Sequence, residues 1–322
     1  MKGLPLVFAT VLAGLSLLPA VTSQPLAWTL IGTAVALASW QCLLVIRRLP
    51  LTVSIVLRPQ HYVQACAQGT VLLYWGWYWR EVYDSVHLLL AQLLFAYAFD
   101  MLLSWSRRHT YSFGFSPVPV IFSINLFLWF KPDWFYLQFL LIALGFAAKE
   151  LLRWQKDGRQ VHIFNPSSFP LGLFSLGLIL TGTTNLTWGP EIANTLNYAP
   201  QIYLMIFLVS LPGQFLFGVT TMTMSAVVTM YGFGLLYFAL AGTYYFYDAY
   251  IPIAVFLGMH LLFTDPSTAP RSELGRLIFG AMYALSVIVL YGVLETLGLP
   301  RFYDKLLAVP VINLLNIYHI TL

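Results

Sequence analysis

Charged residues and cysteines are both scarce in this chain of 322 residues, and each scarcity argues against a class of protein. Only 9% of the residues are charged, against roughly 25% in a soluble globular domain, so the composition argues against a water-soluble fold. The two cysteines, Cys42 and Cys66, lack CxxC and CxxCH spacing. We therefore expect no disulfide framework, no zinc site and no attached c-type haem.

Catalytic and nucleotide-binding motifs are also missing. The sequence contains no Ser-His-Asp arrangement, HExxH, P-loop or dinucleotide fingerprint, so we assign no catalytic residue. The formal net charge is +4, but Lys and Arg do not form a patch with interleaved aromatics, and nucleic acid is not an expected partner. The chain is therefore expected to have no catalytic nucleotide-binding domain of its own.

Apolar residues are abundant, at 59% of the chain, and they occur in helix-length runs. Lipid offers no hydrogen-bond partner to a bare backbone, so such runs predict transmembrane helices. We predict an all-α, polytopic integral membrane protein with about 10–12 transmembrane helices and one membrane domain over residues 1–322. The candidate spans are 4–22, 27–46, 61–79, 86–105, 116–130, 133–149, 168–182, 200–218, 222–242, 249–264, 277–297 and a weaker 306–320.

The positive charges predict the orientation of these spans. With the N-terminus inside, 12 of the 16 Lys and Arg residues fall on the inner side, as the positive-inside rule requires. The predicted location is the bacterial inner (cytoplasmic) membrane, with a cytoplasmic N-terminus. The first span also resembles a signal peptide, although we expect a retained helix.

Two segments share the pattern [Asn/Asp]-Pro-Ser-[Ser/Thr]-x-Pro. They are Asn165-Pro166-Ser167-Ser168, called the Asn-Pro-Ser motif, and Asp265-Pro266-Ser267-Thr268, called the Asp-Pro-Ser motif. Asx is a strong N-cap and Pro is favoured at the first helical position, so each motif predicts the start of a helix, broken by its second Pro. Exposed amides there would favour an anionic or electron-rich ligand, although ordinary caps at the membrane surface would show the same pattern.

Two further ionisable residues fall inside predicted spans. Asp100 is a candidate for an ion or proton path, although a water-reached carboxylate near the inner face is an alternative. His260 lies one helical turn before Thr264, and a hydrogen-bonded core histidine is the alternative to a ligand-binding role. A b-type haem needs two facing histidines, and we find only one.

The sequence from Ala147 to Gly172, together with the segment around the Asp-Pro-Ser motif, resembles a known family. The more specific part is Thr264-Asp265-Pro266-x-Thr268 followed by Gly275-Arg276-Leu277-Ile278-Phe279-Gly280. These residues resemble the RnfD/NqrB family, whose members are membrane components of the Rnf complex and of the sodium-pumping NADH:quinone oxidoreductase. The resemblance is carried by residues 147–322, and residues 1–146 resemble the family only weakly. The segment Arg58-Pro-Gln-His61-Tyr is similar to a divergent, UnbU-like branch.

The resemblance implies a flavin-bearing subunit that transfers electrons within a larger membrane complex coupled to ion movement. The family attaches FMN to a threonine in an outer loop, but the matching loop here, with Thr181, Thr183, Thr184 and Thr187, lacks that motif. We therefore expect a noncovalent flavin (FMN or riboflavin) or a quinone, and no covalent FMN. The predicted cofactor-binding residues are Asn165, Pro166, Ser167, Ser168, His260, Thr264, Asp265, Ser267, Thr268 and Arg276.

Two alternatives use the same sequence features. Paired broken helices also occur in transporters and channels for small solutes. The second alternative is a structural subunit that retained the scaffold but lost the cofactor. In each case the expected partners are the lipid bilayer and other subunits of a membrane complex.

Overall fold

The chain folds into a mainly helical structure, as predicted. The computed structural model describes residues 2–156, 158–247 and 249–319. The helices are α1 (Leu4–Leu15), α2 (Gln24–Ile46), α3 (Pro59–Tyr78), α4 (Glu81–Asp84), α5 (Val86–Arg108), α6 (Pro117–Asn125), α7 (Phe135–Leu151), α8 (Ser168–Thr181), α9 (Gly189–Thr195), α10 (Ile202–Phe217), α11 (Thr220–Ala241), α12 (Ile253–Leu261), α13 (Glu273–Thr296) and α14 (Asp304–His319). The strands are β1 (Thr52–Ile55), β2 (Thr110–Phe113), β3 (Arg153–Lys156) and β4 (Arg159–His162).

Five helices in the described part of the chain are long and apolar enough to cross a membrane: α2, α5, α7 with the turn before it, α11 and α13. A sixth is reached if α9 and α10, which meet at a bend of 100°, count as one span. Every predicted span contains a helix. However, the predicted number of 10–12 full-length spans is not observed, because several of these helices are short.

The shortest helices within the predicted spans are α6 and α12, with nine residues each. At 1.5 Å per residue such a helix is about 14 Å long, roughly half the hydrocarbon thickness of a bilayer. Buried side chains bind the carbonyls at the end of α12. Both Gln68 Nε2 and Ser123 Oγ, the latter from α6, donate to Leu261 O at 3.4 Å. The C-terminal end of α12 therefore packs against α6 and α3.

Two glycines allow unusually close helix packing. A Cβ atom on Gly280 of α13 would lie 2.1 Å from the carbonyl oxygen of Met222 on α11. A Cβ atom on Gly145 of α7 would lie 2.3 Å from the carbonyl oxygen of Pro166 in the Asn-Pro-Ser motif. Both approaches are closer than any side chain permits, so α7 holds this motif against the core.

Two small β-structures connect helix ends. Strands β1 and β2 are parallel, with Thr52 opposite Thr110 and Ile55 opposite Phe113. The pair, called the parallel ribbon, lies just before α3 and α6. Strands β3 and β4 form an antiparallel hairpin between α7 and the Asn-Pro-Ser motif.

The Asp-Pro-Ser motif does not start a helix, so the prediction was wrong for Asp265, Pro266, Ser267 and Thr268. These residues form a turn after α12, and α13 begins at Glu273 with Ser272 as its N-cap, whose Oγ accepts from Gly275 N at 3.1 Å. Both motifs contain the second proline, Pro170 or Pro270, so proline does not explain the difference. Ser272 instead supplies a later cap where the Asn-Pro-Ser motif has Gly172.

Candidate functional site

The structure brings the two motifs together. Asn165 Nδ2 donates to the carbonyl oxygen of Leu262 at 2.8 Å, which joins the start of α8 to the end of α12. His162 Nε2 and Asp265 Oδ2 lie 2.9 Å apart, which joins the β3–β4 hairpin to the Asp-Pro-Ser motif. The two segments, a hundred positions apart, therefore form one structural unit.

A polar cavity with two lobes lies beside this unit, and we call it the cationic cavity. The larger lobe has a volume of about 440 Å³ and the smaller one about 270 Å³. Both lobes are lined by Arg58, His61, Ser116, Lys149, His162 and Ser267. Asn165, Pro166, Ser167 and Asp265 line the smaller lobe, so four more predicted site residues face the cavity.

Most carboxylates around the cavity are already paired. Glu150 Oε2 lies 2.6 Å from Arg108 and 3.2 Å from Arg153, and Asp265 is paired with His162. By contrast, Arg58 and Lys149 form no ion pair among residues 2–156, 158–247 and 249–319. Among the described residues, four Lys and Arg side chains and three carboxylates line the two lobes, so the cavity has a small excess of positive charge.

The backbone amides of the motifs are not available to a ligand, which corrects the expectation of exposed amides. Asn165 Oδ1 accepts from Ser167 N at 2.9 Å and from Ser168 N at 3.2 Å. Asp265 Oδ1 likewise accepts from Ser267 N at 2.9 Å. A ligand in the cavity is therefore contacted by side chains. Helix dipoles add to their field, because α3, α6 and α8 all begin at the smaller lobe.

The surroundings of Asp265 lower the pKa of its carboxyl group. Burial raises its pKa, but the charge and hydrogen bond of His162 and the hydrogen bonds from Ser267 outweigh burial, so the net pKa is below the usual 3.8. Asp265 therefore remains an anion and holds the hairpin to the motif through His162.

This lowered pKa predicts a dependence of stability on pH. The carboxylate stabilises the fold above its unfolded-state pKa, and that contribution disappears as the pH falls through the lower folded-state pKa. We expect Asp265→Asn to have a lower melting temperature than wild type near about pH 5, with the difference shrinking towards about pH 2. Asp84→Asn, at an exposed carboxylate, is the control. A difference that widens in acid would contradict the assignment.

Asp100, the predicted ion-path residue, lines the larger lobe. Tyr111 lies on the same wall and is 4% exposed. Burial, followed by the nearby carboxylate of Asp100, raises the pKa of Tyr111, so its hydroxyl stays protonated. Asp100 and Tyr111 therefore give this wall one carboxylate and one neutral hydroxyl.

Five predicted site residues do not line the cationic cavity. The ring of His260 packs against Phe207 and Phe256, with Nδ1 2.8 Å from the carbonyl oxygen of Phe256. Hydrogen bonds within the chain involve the side chains of Ser168, Thr264, Thr268 and Arg276. We therefore describe these residues as supports of the surrounding turns.

Sequence reasoning missed four residues that line the cavity: Arg58, His61, Lys149 and His162. The positive-inside rule accounts for the charges of Arg58 and Lys149, so it does not single them out as ligand-binding residues. One signal is available, since His162 lies three residues before Asn165. Their convergence depends on long-range packing, which hydropathy does not encode.

A second cavity, of about 690 Å³, lies at the other end of α10, and we call it the tyrosine cavity. Tyr203 near the start of α10 lines this cavity, whereas Phe217 at the end of α10 lines the cationic cavity. The tyrosine cavity is also lined by the first turn of α12 and by Asp304 and Lys305, which are each 2% exposed. The two cavities are therefore separated by roughly the length of α10.

Comparisons of the chain with protein-family models, with curated proteins and with solved structures found no match. The fold and site together define a mainly helical protein with apolar, span-length helices and a cation-lined cavity. Four threonines at which we expect no covalent flavin, Thr181, Thr183, Thr184 and Thr187, lie at the end of α8 opposite to this cavity.

Proposed function

We propose that this chain is an integral membrane subunit of an electron-transport complex and that it binds a flavin noncovalently in the cationic cavity. The observation that carries the proposal is the pair of cations, Arg58 and Lys149, which form no ion pair in the described part of the chain and line a cavity built by both motifs. Positive charge of this kind stabilises an electron-rich reduced ring or an anionic group. The resemblance to the RnfD/NqrB family supports the same interpretation.

The dimensions and donors of the cavity also suit a ring cofactor. The larger lobe, at about 440 Å³, falls within the usual range for cofactor sites, roughly 300–1,000 Å³. Its wall combines the ring of Phe146 with the protonated hydroxyl of Tyr111. A bound flavin would supply one- and two-electron chemistry, while the protein would hold it and set the local charge. A quinone would fit as a second redox partner.

The apolar helices support a membrane location. Helices α2 and α11 are long enough to span a bilayer, and only 28% and 17% of their most apolar stretches are buried. Exposed apolar surface of this extent requires lipid or partner subunits. We propose the bacterial inner membrane, a cytoplasmic N-terminus and a redox complex whose other subunits deliver the electrons.

The chromophore of the purified protein tests this function. We expect flavin absorbance and fluorescence in protein extracted in mild detergent, and release of the flavin on denaturation. Substitution of Thr181, Thr183, Thr184 or Thr187 by alanine should leave bound flavin unchanged. A colourless protein that does not take up added flavin would contradict the proposal, and flavin that survives denaturation would contradict noncovalent binding.

A transporter of small solutes is the second candidate, and the two opposite cavities favour it. The nine-residue helix α12 begins at the tyrosine cavity and ends beside Ser123, which lines the cationic cavity. Short helices between opposite cavities are typical of alternating-access proteins. Solute flux into liposomes by a colourless protein would support this candidate. A colourless protein without flux would indicate a structural subunit.

A further inference from the structure

We infer that the ligand of the cationic cavity carries a phosphate monoester and that Arg58 and Lys149 bind this phosphate in the smaller lobe. The inference rests on the proposed function in that it concerns the same cavity, but the phosphate is tested separately from the flavin. It selects FMN over riboflavin and over a quinone, neither of which has a phosphate.

The first step is the clustering of the cations. Arg58 precedes α3, and Lys149 lies in the last turn of α7, so the two come from distant parts of the chain. Both line both lobes, and both are close enough to His61 for their charges to act on its ring. The structure thus places two basic side chains around one small volume of about 270 Å³.

The second step is the charge balance of the smaller lobe. Its one carboxylate, among the described residues that line it, belongs to Asp265, which is hydrogen-bonded to His162 at 2.9 Å. Two cations therefore face one carboxylate, and the excess positive charge is costly in a partly buried site. A phosphate monoester, with about −1.5 to −2 charge at neutral pH, supplies negative charge on several oxygens that contact both cations at once.

The third step is the match of donors to acceptors. A phosphate group has three terminal oxygens, which suit the two-pronged guanidinium of Arg58 and the point charge of Lys149. Neutral hydrogen-bonding side chains of Gln60, Gln64 and Ser116 line the same lobe. The adjoining larger lobe, at about 440 Å³, then has room for the remainder of the molecule.

Binding of FMN and riboflavin to the purified full-length protein in detergent tests the inference. We expect wild type to bind FMN at least about tenfold more tightly than riboflavin, since charge-assisted contacts of this kind are worth that much. Arg58→Gln and Lys149→Gln should each weaken FMN binding about tenfold and leave riboflavin binding unchanged. Arg107→Gln, at an exposed arginine in the last turn of α5, is the matched control and should change neither.

A competition experiment keeps the test decisive if the variants fold poorly. Inorganic phosphate should displace FMN from wild type and leave bound riboflavin in place. Equal affinities for FMN and riboflavin, with no competition by phosphate, would overturn the phosphate site while leaving the flavin function standing. Conversely, thermal stabilisation by inorganic phosphate in wild type but not in Lys149→Gln, without any flavin binding, would support the phosphate site and reject the flavin.

A phosphate monoester also occurs in one class of lipid, so a further experiment distinguishes a lipid phosphate from the phosphate of FMN. Short-chain phosphatidic acid in micelles offers a phosphate monoester on an acyl glycerol. Displacement of phosphate by FMN but not by this lipid would support a cofactor in the larger lobe. Displacement by the lipid alone would overturn the assignment of the phosphate to FMN.

Discussion

Replacing Asn165 with alanine is expected to lower the free energy of unfolding by about 3 kcal/mol. Asn165 is 5% exposed and caps the start of α8 through Oδ1, while its Nδ2 donates to Leu262 O. Alanine removes the helix cap, at about 1 kcal/mol, and leaves a buried carbonyl unpaired, at about 1–3 kcal/mol. Chemical or thermal unfolding in detergent measures the loss.

Two matched variants separate the roles of the Asn165 side chain. Asn165→Asp keeps the capping oxygen but loses the donor to Leu262, so its stability should lie below wild type with the helix cap intact. Ser167→Ala removes one hydroxyl that donates to Asn165 Oδ1 at 2.7 Å and should cost only about 1 kcal/mol. If Asn165→Ala is as stable as Ser167→Ala, the hydrogen bond from Asn165 to Leu262 contributes little to the stability of the fold.

The Asp265→Ala variant is expected to lose bound flavin by at least about tenfold while retaining its helical content. Asp265 holds His162, and His162 ends the β3–β4 hairpin that forms part of the wall of the larger lobe through Arg153 and Gln160. Alanine frees this hairpin, so the cofactor site loses its shape. Flavin per protein after purification, with circular dichroism as the check on folding, measures the effect.

Glu273→Ala is the control for Asp265→Ala. Glu273 lies eight positions further along the chain, pairs with Arg276 and is exposed outside the cavity. Its loss should therefore leave flavin content unchanged. Flavin content in Asp265→Ala equal to that of Glu273→Ala and wild type would remove Asp265 from the site.

Apolar composition predicted the existence of the helices but not the length of the short ones. The segment after α6, residues 126–130, is as apolar as a helix and is buried. At its end, the backbone of Trp129 and Phe130 bonds to distant residues instead of continuing the helix. Gln138 Oε1 accepts from Phe130 N at 3.0 Å, and Trp188 N donates to the carbonyl oxygen of Trp129 at 2.8 Å. Hydropathy cannot distinguish such a segment from one more turn of helix.

The candidate site was only partly predictable from the sequence. Both motifs were found because Asx and Pro act on the next few residues, and those local effects are readable in sequence. The different outcome at the Asp-Pro-Ser motif depended on Ser272, seven positions after Asp265. Arg58 and Lys149 carry a charge that the positive-inside rule already explained, so only the folded arrangement shows them sharing one cavity.

The parallel ribbon makes the spacing of the cavity sensitive to insertion and deletion. Ile55 at the end of β1 lies three residues before Arg58, and Phe113 at the end of β2 lies three before Ser116. Val56 N donates to the carbonyl oxygen of Phe113 at 2.9 Å, and a Cβ atom on Gly114 would lie 2.2 Å from Val56 O. One residue gained or lost in either strand would shift Arg58 against Ser116 by about 3.3 Å, a full hydrogen-bond length. Relatives of this chain are therefore expected to vary in residue type along the ribbon but to keep its length.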